Sequence, residues 1–163
     1  TADSELGKHT TFTIYLPALP VHPPEKSAAL RRERPPFVQG QGETVLVVED
    51  DPVVRKALLE SLELLNYRAL DAANGREALA MLEQRDSEID LLLSDVVMPG
   101  MGGIPLLHTL RQRGLTVSVV MLTGHPLERE LEALREQGMS DWLPKPPQLE
   151  DLSRVLARAL RSG

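Results

Sequence analysis

Val45-Leu46-Val47-Val48-Glu49-Asp50-Asp51-Pro52 runs from four apolar residues through three acids into a proline. An apolar run without alternation suits a strand buried on both faces, as in a parallel sheet covered by helices. Asp51 suits a helix N-cap with Pro52 at the first helical position, and Val54, Ala57, Leu58, Leu62 and Leu65 then share one face. A buried strand leading straight into an amphipathic helix is the opening of a βαβ unit.

The same rhythm continues downstream. Strands are predicted at 45–48, 68–71, 89–94, 117–122 and 141–143. The run at 117–122 is nearly as continuously apolar as the first. Helices are predicted from Pro52, after Asn74, and at 104–112, 126–137 and 149–160. Asn74 followed by Glu77 reads as a capping box, and Gly138 as the stop of the fourth helix. Leu149, Leu152, Leu156 and Leu160 make one stripe on the last. The fold class is therefore α/β: a doubly wound five-stranded parallel sheet in the order 2-1-3-4-5, with helices on both faces.

Upstream the pattern differs. Residues 1–42 hold six prolines (Pro17, Pro20, Pro23, Pro24, Pro35, Pro36), so 17–42 reads as a partly extended linker. Arg31, Arg32 and Arg34 within it read as a solvated charge run. Before it, 11–16 alternates Phe12, Ile14 and Leu16 with Thr11, Thr13 and Tyr15, the period of a half-buried strand. A lone strand needs a sheet. Its partner is expected either in an absent upstream domain or at an exposed edge here or on a second copy, which would make a dimer through residues 1–20. Thr1 in place of Met, and the polar residues after it, lead us to expect a piece of a longer polypeptide.

Composition sets outer bounds. The chain has 163 residues with 18 Lys and Arg against 24 Asp and Glu, a formal net charge of −6. That acidity argues against nucleic acid as a partner, since phosphate-backbone binders cluster cations. No apolar run approaches the roughly 20 residues of a membrane span, so no membrane contact by this segment is expected. Cysteine is absent, which removes disulfides and thiolate chemistry and is at ease in a reducing cytoplasm.

In an open parallel sheet, ligands bind beyond the carboxyl ends of the strands, where the strand order reverses. Glu49, Asp50 and Asp51 follow the first strand, Asp95 the third, Thr123 the fourth and Lys145 the fifth. The 2-1-3-4-5 order brings Glu49, Asp50 and Asp95 into one pocket. Each carboxylate pair at about 4 Å costs roughly 4 kcal/mol at an effective dielectric of 20, so either the pKa values rise or a cation enters. With oxygen ligands only, that cation is hard and divalent, most simply Mg²⁺. Lys145 adds an ammonium and Thr123 a hydroxyl. Such a site suits a phosphoryl group, with Asp95 as the nucleophile and an aspartyl phosphate as the product. Asp51 reads first as the helix cap, His108 and His125 as surface and helix-start residues, and Gly100, Gly102 and Gly103 as a turn with no nucleotide-loop pattern.

Residues 45–52, 91–103 (Leu-Leu-Leu-Ser-Asp-Val-Val-Met-Pro-Gly-Met-Gly-Gly), 119–124 and 142–146 (Trp-Leu-Pro-Lys-Pro) resemble, in order and spacing, the receiver domain of two-component response regulators. The resemblance covers about 44–160. It implies the flavodoxin-like receiver fold, with Asp95 as phosphoacceptor and Glu49 and Asp50 as the metal pair. The Val97 backbone carbonyl would complete the protein ligands to Mg²⁺. Thr123 would be the switch hydroxyl, Trp142 the switch aromatic and Lys145 the phosphoryl contact, with a cis bond before Pro146. It also implies, as partners, the phosphohistidine domain of a histidine kinase or a histidine phosphotransfer protein.

Some positions depart from the family pattern. Glu49 stands where Asp is frequent, Trp142 where Tyr or Phe is commoner, and Pro147 where a bulky apolar residue is frequent. Val97 and His125 occupy positions that tune water access in this family, and apolar Val97 leads us to expect slow self-hydrolysis. Ser4-Glu5-Leu6-Gly7-Lys8-His9-Thr10-Thr11-Phe12-Thr13-Ile14-Tyr15-Leu16-Pro17 is similar to the end of a sensor histidine kinase ATP-binding domain. The expected organisation is a kinase remnant at 1–16, the linker at 17–42 and the receiver at 43–163. Its parent would be a hybrid histidine kinase, itself open to membrane anchoring, whose ATP site lies outside this chain. Two other readings remain open: a Mg²⁺-dependent phosphatase or phosphotransferase with an aspartyl nucleophile, and a pseudo-receiver that only docks proteins. The former class places its nucleophile after the first strand.

Overall fold

The computed structural model describes residues 2–5, 9–12, 37–124 and 131–161, which fall in two units, Thr1–Pro35 and Pro36–Gly163. In the first, β1 (Ala2–Glu5) pairs antiparallel with β2 (His9–Phe12), Ala2 opposite Phe12 and Glu5 opposite His9. The expectation of a strand without a partner in the chain is thereby corrected. Ala-Asp-Ser-Glu carries no strand signal of its own, and its pairing is dictated by the neighbour. Residues 13–16 of the expected strand, most of the linker and His125 lie outside the described residues.

In the second unit β3 (Thr44–Val48), β4 (Arg68–Ala72), β5 (Leu91–Asp95), β6 (Ser118–Thr123) and β7 (Asp141–Pro144) form one parallel sheet in the order β4-β3-β5-β6-β7. This is the expected 2-1-3-4-5 order. The helices are α1 (Pro52–Leu64), α2 (Gly75–Arg85), α3 (Gly103–Gln112), α4 (Leu131–Glu136) and α5 (Leu149–Arg161). The expected strand ends fall within two residues of those observed. β5 begins at Leu91 rather than Ile89 because Asp90 is occupied differently: its carboxylate accepts from Thr44 N at 2.7 Å and its own N–H donates to Thr44 O at 3.0 Å.

The unbroken apolar strands feed two cores. Leu46 and Val48 face Ala78 and Leu82 of α2, Leu106 and Leu110 of α3 and Leu134 of α4. Val45 and Val47 face Leu58 and Leu62 of α1 and Leu152 and Leu156 of α5. Successive residues of one strand thus serve opposite layers, which is why no polar position interrupts β3. Helix starts follow the sequence signals. Asp51 accepts from Val53 N at 2.8 Å and Val54 N at 3.1 Å, bonds that hold its carboxyl below the usual range. Asn74 accepts from Arg76 N and Glu77 N at 3.0 Å, and Glu77 reaches back to Ala73 N at 2.8 Å.

Residues 37–42, expected as linker, are hydrogen-bonded into this unit. Gly40 N donates to Leu65 O at 2.8 Å, Asn66 Nδ2 to Gly40 O at 2.7 Å and Arg68 Nε to Gly42 O at 3.0 Å. No helix among the described residues is long and apolar enough to cross a membrane.

Gly103 opens α3 against the end of β5. A Cβ there would stand 2.5 Å from Asp95 O and 2.9 Å from Met121 Sδ. Gly103→Ala is therefore expected to cost about 1–3 kcal/mol through forced displacement, read as a lower urea midpoint; an unchanged midpoint would contradict the close packing.

Candidate functional site

The sheet order puts the carboxyl ends of β3 and β5 side by side, Val48 opposite Ser94. Glu49 and Asp50 leave the first and Asp95 closes the second, and carboxylate oxygens of all three lie within 4.8 Å of one another. Glu49 and Asp95 are buried, at 1% and 7% exposure, whereas Asp50 is exposed. Lys145, just past β7, reaches across to both buried acids: its Nζ is 2.6 Å from Glu49 Oε2 and 2.7 Å from Asp95 Oδ2. Burial alone would lower the Lys145 pKa. The hydrogen bonds to Asp95 and Glu49 outweigh it and raise the ammonium above the ordinary 10.5.

The other Asp95 oxygen, Oδ1, accepts from Val97 N at 3.2 Å. The Val97 side chain, at 75% exposure, stands in solvent beside it. Thr123 closes β6, buried, and its carbonyl accepts from Lys145 N at 2.8 Å, which links the ends of the fourth and fifth strands. Trp142 is half-buried against the core that contains Leu134 and Met139. The Lys145-Pro146 bond is cis, as expected. His108 is exposed on α3. The structure thus gathers Glu49, Asp50, Asp95 and Lys145, with Thr123 joined through the Lys145 backbone.

Sequence reasoning does not single out Arg55. It follows the Asp51 cap by one helical turn, and its Nη1 donates to Glu49 O at 2.6 Å while Nε pairs with Asp71 Oδ2 at 3.1 Å. The i,i+4 spacing from the cap is the signal that could have found it, because it returns the side chain to the strand end.

Three carboxylates face one ammonium, which leaves two negative charges uncompensated. Glu49 Oε2 is buried with the Lys145 ammonium 2.6 Å away. A carboxylate oxygen has more than one lone pair, so that contact alone does not exhaust its coordinating capacity. An all-oxygen donor set with this charge fits a hard divalent cation and fits poorly any metal that prefers nitrogen or sulfur.

The family model for the response regulator receiver domain matches residues 45–157. The sensor kinase CckA of Brucella abortus (strain 2308) is 35% identical over 97% of this chain, and the sensor histidine kinase RcsC of Salmonella typhi is 41% identical over 69% of it. The chain spans only 17% and 12% of the lengths of those two relatives. Among solved structures, the Vibrio cholerae chemotaxis protein CheY4 aligns with a TM-score of 0.67 at 30% identity, covering 72% of this chain and 98% of that one.

Because Lys145 is raised above 10.5 by its carboxylate partners, its stabilising contribution is complete below that pH and is lost as pH rises through the higher folded value. Lys145→Met is expected to cost on the order of 2 kcal/mol at pH 7 by leaving charged acceptors unserved. In urea titrations the deficit should stay constant from neutral pH up to about 10.5 and shrink only above it. A deficit that faded between pH 6 and 9 would refute this assignment.

Proposed function

The chain belongs to the response regulator receiver domain family, and from that premise we propose that Asp95 accepts a phosphoryl group from phosphohistidine in a Mg²⁺-dependent reaction. It is a receiver module of two-component phosphorelay signalling. The observation that carries the proposal is the pairing of a buried strand-end carboxylate with an ammonium 2.7 Å away inside a cluster of acids.

Glu49, Asp50, Asp95 and the Val97 carbonyl would hold Mg²⁺, which when bound would neutralise charge on the phosphoryl oxygens. Asp95 attacks phosphorus, an O–P bond forms, the N–P bond of the donor breaks, and the imidazole leaves with the electron pair and takes up a proton. Lys145 supplies a fixed positive charge toward the transferred oxygens, already oriented by Glu49. Thr123, bonded to Lys145 through the backbone, would register the new group, and Trp142 on β7 would be the aromatic that reports it.

The donor is a phosphohistidine domain of a histidine kinase or a phosphotransfer protein. A groove of about 460 Å³, lined by Val53, Ala57, Ser61, Lys145, Pro146 and Pro147, is the surface we assign to that donor. Cytoplasmic work follows from this reading, because histidine phosphorylation draws on ATP. We read the parent as a hybrid histidine kinase, with a kinase remnant at 1–16 and a tether running to the point where residues 37–42 join the receiver. The antiparallel pair β1–β2 and the match to CckA across 97% of the chain support that organisation.

Intact-mass analysis after incubation with Mg²⁺ and acetyl phosphate should show one phosphoryl adduct, absent with chelator and absent in Asp95→Asn. An adduct that persists in Asp95→Asn would move the acceptor elsewhere. No adduct together with no Mg²⁺ binding would favour a docking module, whereas Mg²⁺ binding without an adduct would point to donor selectivity or very fast hydrolysis. Val97 offers no side-chain group to orient a hydrolytic water, so the adduct is expected to decay over minutes or longer once the donor is removed; decay within seconds would overturn that point.

A further inference from the structure

Glu49 is the first residue beyond the β3 ladder. Its N–H is still held by the sheet, donating to Ala72 O at 3.2 Å. Its carbonyl instead receives the Arg55 guanidinium at 2.6 Å, and the same nitrogen lies 3.4 Å from Asp50 O. Arg55 is anchored in turn by Asp71, the β4 residue opposite Val47, through Nε at 3.1 Å. The Arg55 side chain is 19% exposed and the Asp71 side chain 50%, so the guanidinium is the covered partner. One planar fork therefore ties the helix after the acidic turn, the strand beside it and the backbone of Glu49 and Asp50.

We propose that Arg55 is a positioning residue for the metal site: it fixes the Glu49-Asp50 backbone so that both carboxylates are presented to the cation without rearrangement. This rests on the Mg²⁺-dependent reading above. Arg55 contacts carbonyl oxygens rather than the carboxylates, so it spends none of the negative charge that the cation needs. A cation acting only through its charge opposes Mg²⁺, and its removal would tighten binding. A cation that pre-organises the ligands favours Mg²⁺, and its removal weakens binding.

Titration calorimetry of the 163-residue chain with Mg²⁺ alone, with no phosphodonor, separates these. Arg55→Met is expected to bind about tenfold more weakly than the parent. Arg55→Lys, which keeps the charge but reaches fewer of the three oxygens, should fall between the two. Asp71→Asn, which removes the anchor and leaves Arg55 in place, should lose a few-fold in the same direction. The phosphorylation rate with acetyl phosphate should drop far more at sub-saturating than at saturating Mg²⁺ in all three. Equal or tighter Mg²⁺ binding in Arg55→Met overturns the proposal. Should that variant fail to fold, unchanged affinity in both Arg55→Lys and Asp71→Asn overturns it instead. No Mg²⁺ binding by the parent chain defeats the metal reading itself, whereas parental binding with unaltered variants defeats only the role of Arg55.

Discussion

Lys145 stands between two buried carboxylates, and much of the site's electrostatics depends on that placement. At an effective dielectric of 20, a unit pair at 2.7 Å attracts by about 6 kcal/mol, while two carboxylates 4.8 Å apart repel by about 3.5 kcal/mol. One ammonium serving Glu49 and Asp95 together therefore offsets the mutual repulsion of the acids, and the exposure of Asp50 lets water screen the third. The folded chain tolerates the cluster, yet it retains a net negative charge directed at the surface.

Rigidity comes from the layers beneath. β3 and β5 are buried along their whole length and packed from both sides, so the positions of Glu49 and Asp95 follow from the register Val48 opposite Ser94. Gly103 adds a local constraint, since the close approach of α3 to the Asp95 carbonyl leaves no room for a side chain. Glu49 is fixed at both ends of its peptide, by Ala72 and by Arg55. The acids need no dedicated scaffold, because their geometry is a consequence of where parallel strands stop.

What could be read from the chain alone follows from whether a signal was local. The unalternating runs in β3 and β6, the Asp51 cap and the Asn74-Glu77 box are each decided within a few residues, and the structure contains all of them. The acids of the site were legible for the same reason: each directly follows an apolar run, and topology then brought the runs together. Three features of the fold were not legible. Ala2–Glu5 becomes a strand only because His9–Phe12 lies beside it. Residues 37–42 look like linker because Gly40 and Gly42 carry no pattern, and their bonds go to residues about 25 positions downstream. Ile89 reads as strand until Asp90 is seen to bond across to Thr44.

Arg55 and Lys145 show why the two cations of the site are not interchangeable. Lys145 must touch one oxygen of each of two carboxylates that converge on one point, which suits a compact ammonium on a flexible stem. Arg55 must span two successive carbonyls and a carboxylate on the neighbouring strand, which suits a planar group with donors on several edges. A guanidinium at position 145 would claim both oxygens of a carboxylate in a fork and withdraw them from a metal. An ammonium at position 55 could not reach Asp71 and the Glu49 carbonyl with the same fixed geometry. The division of labour lets one positive charge face the acids, where charge is exchanged, while the other holds the backbone behind them, where it is not.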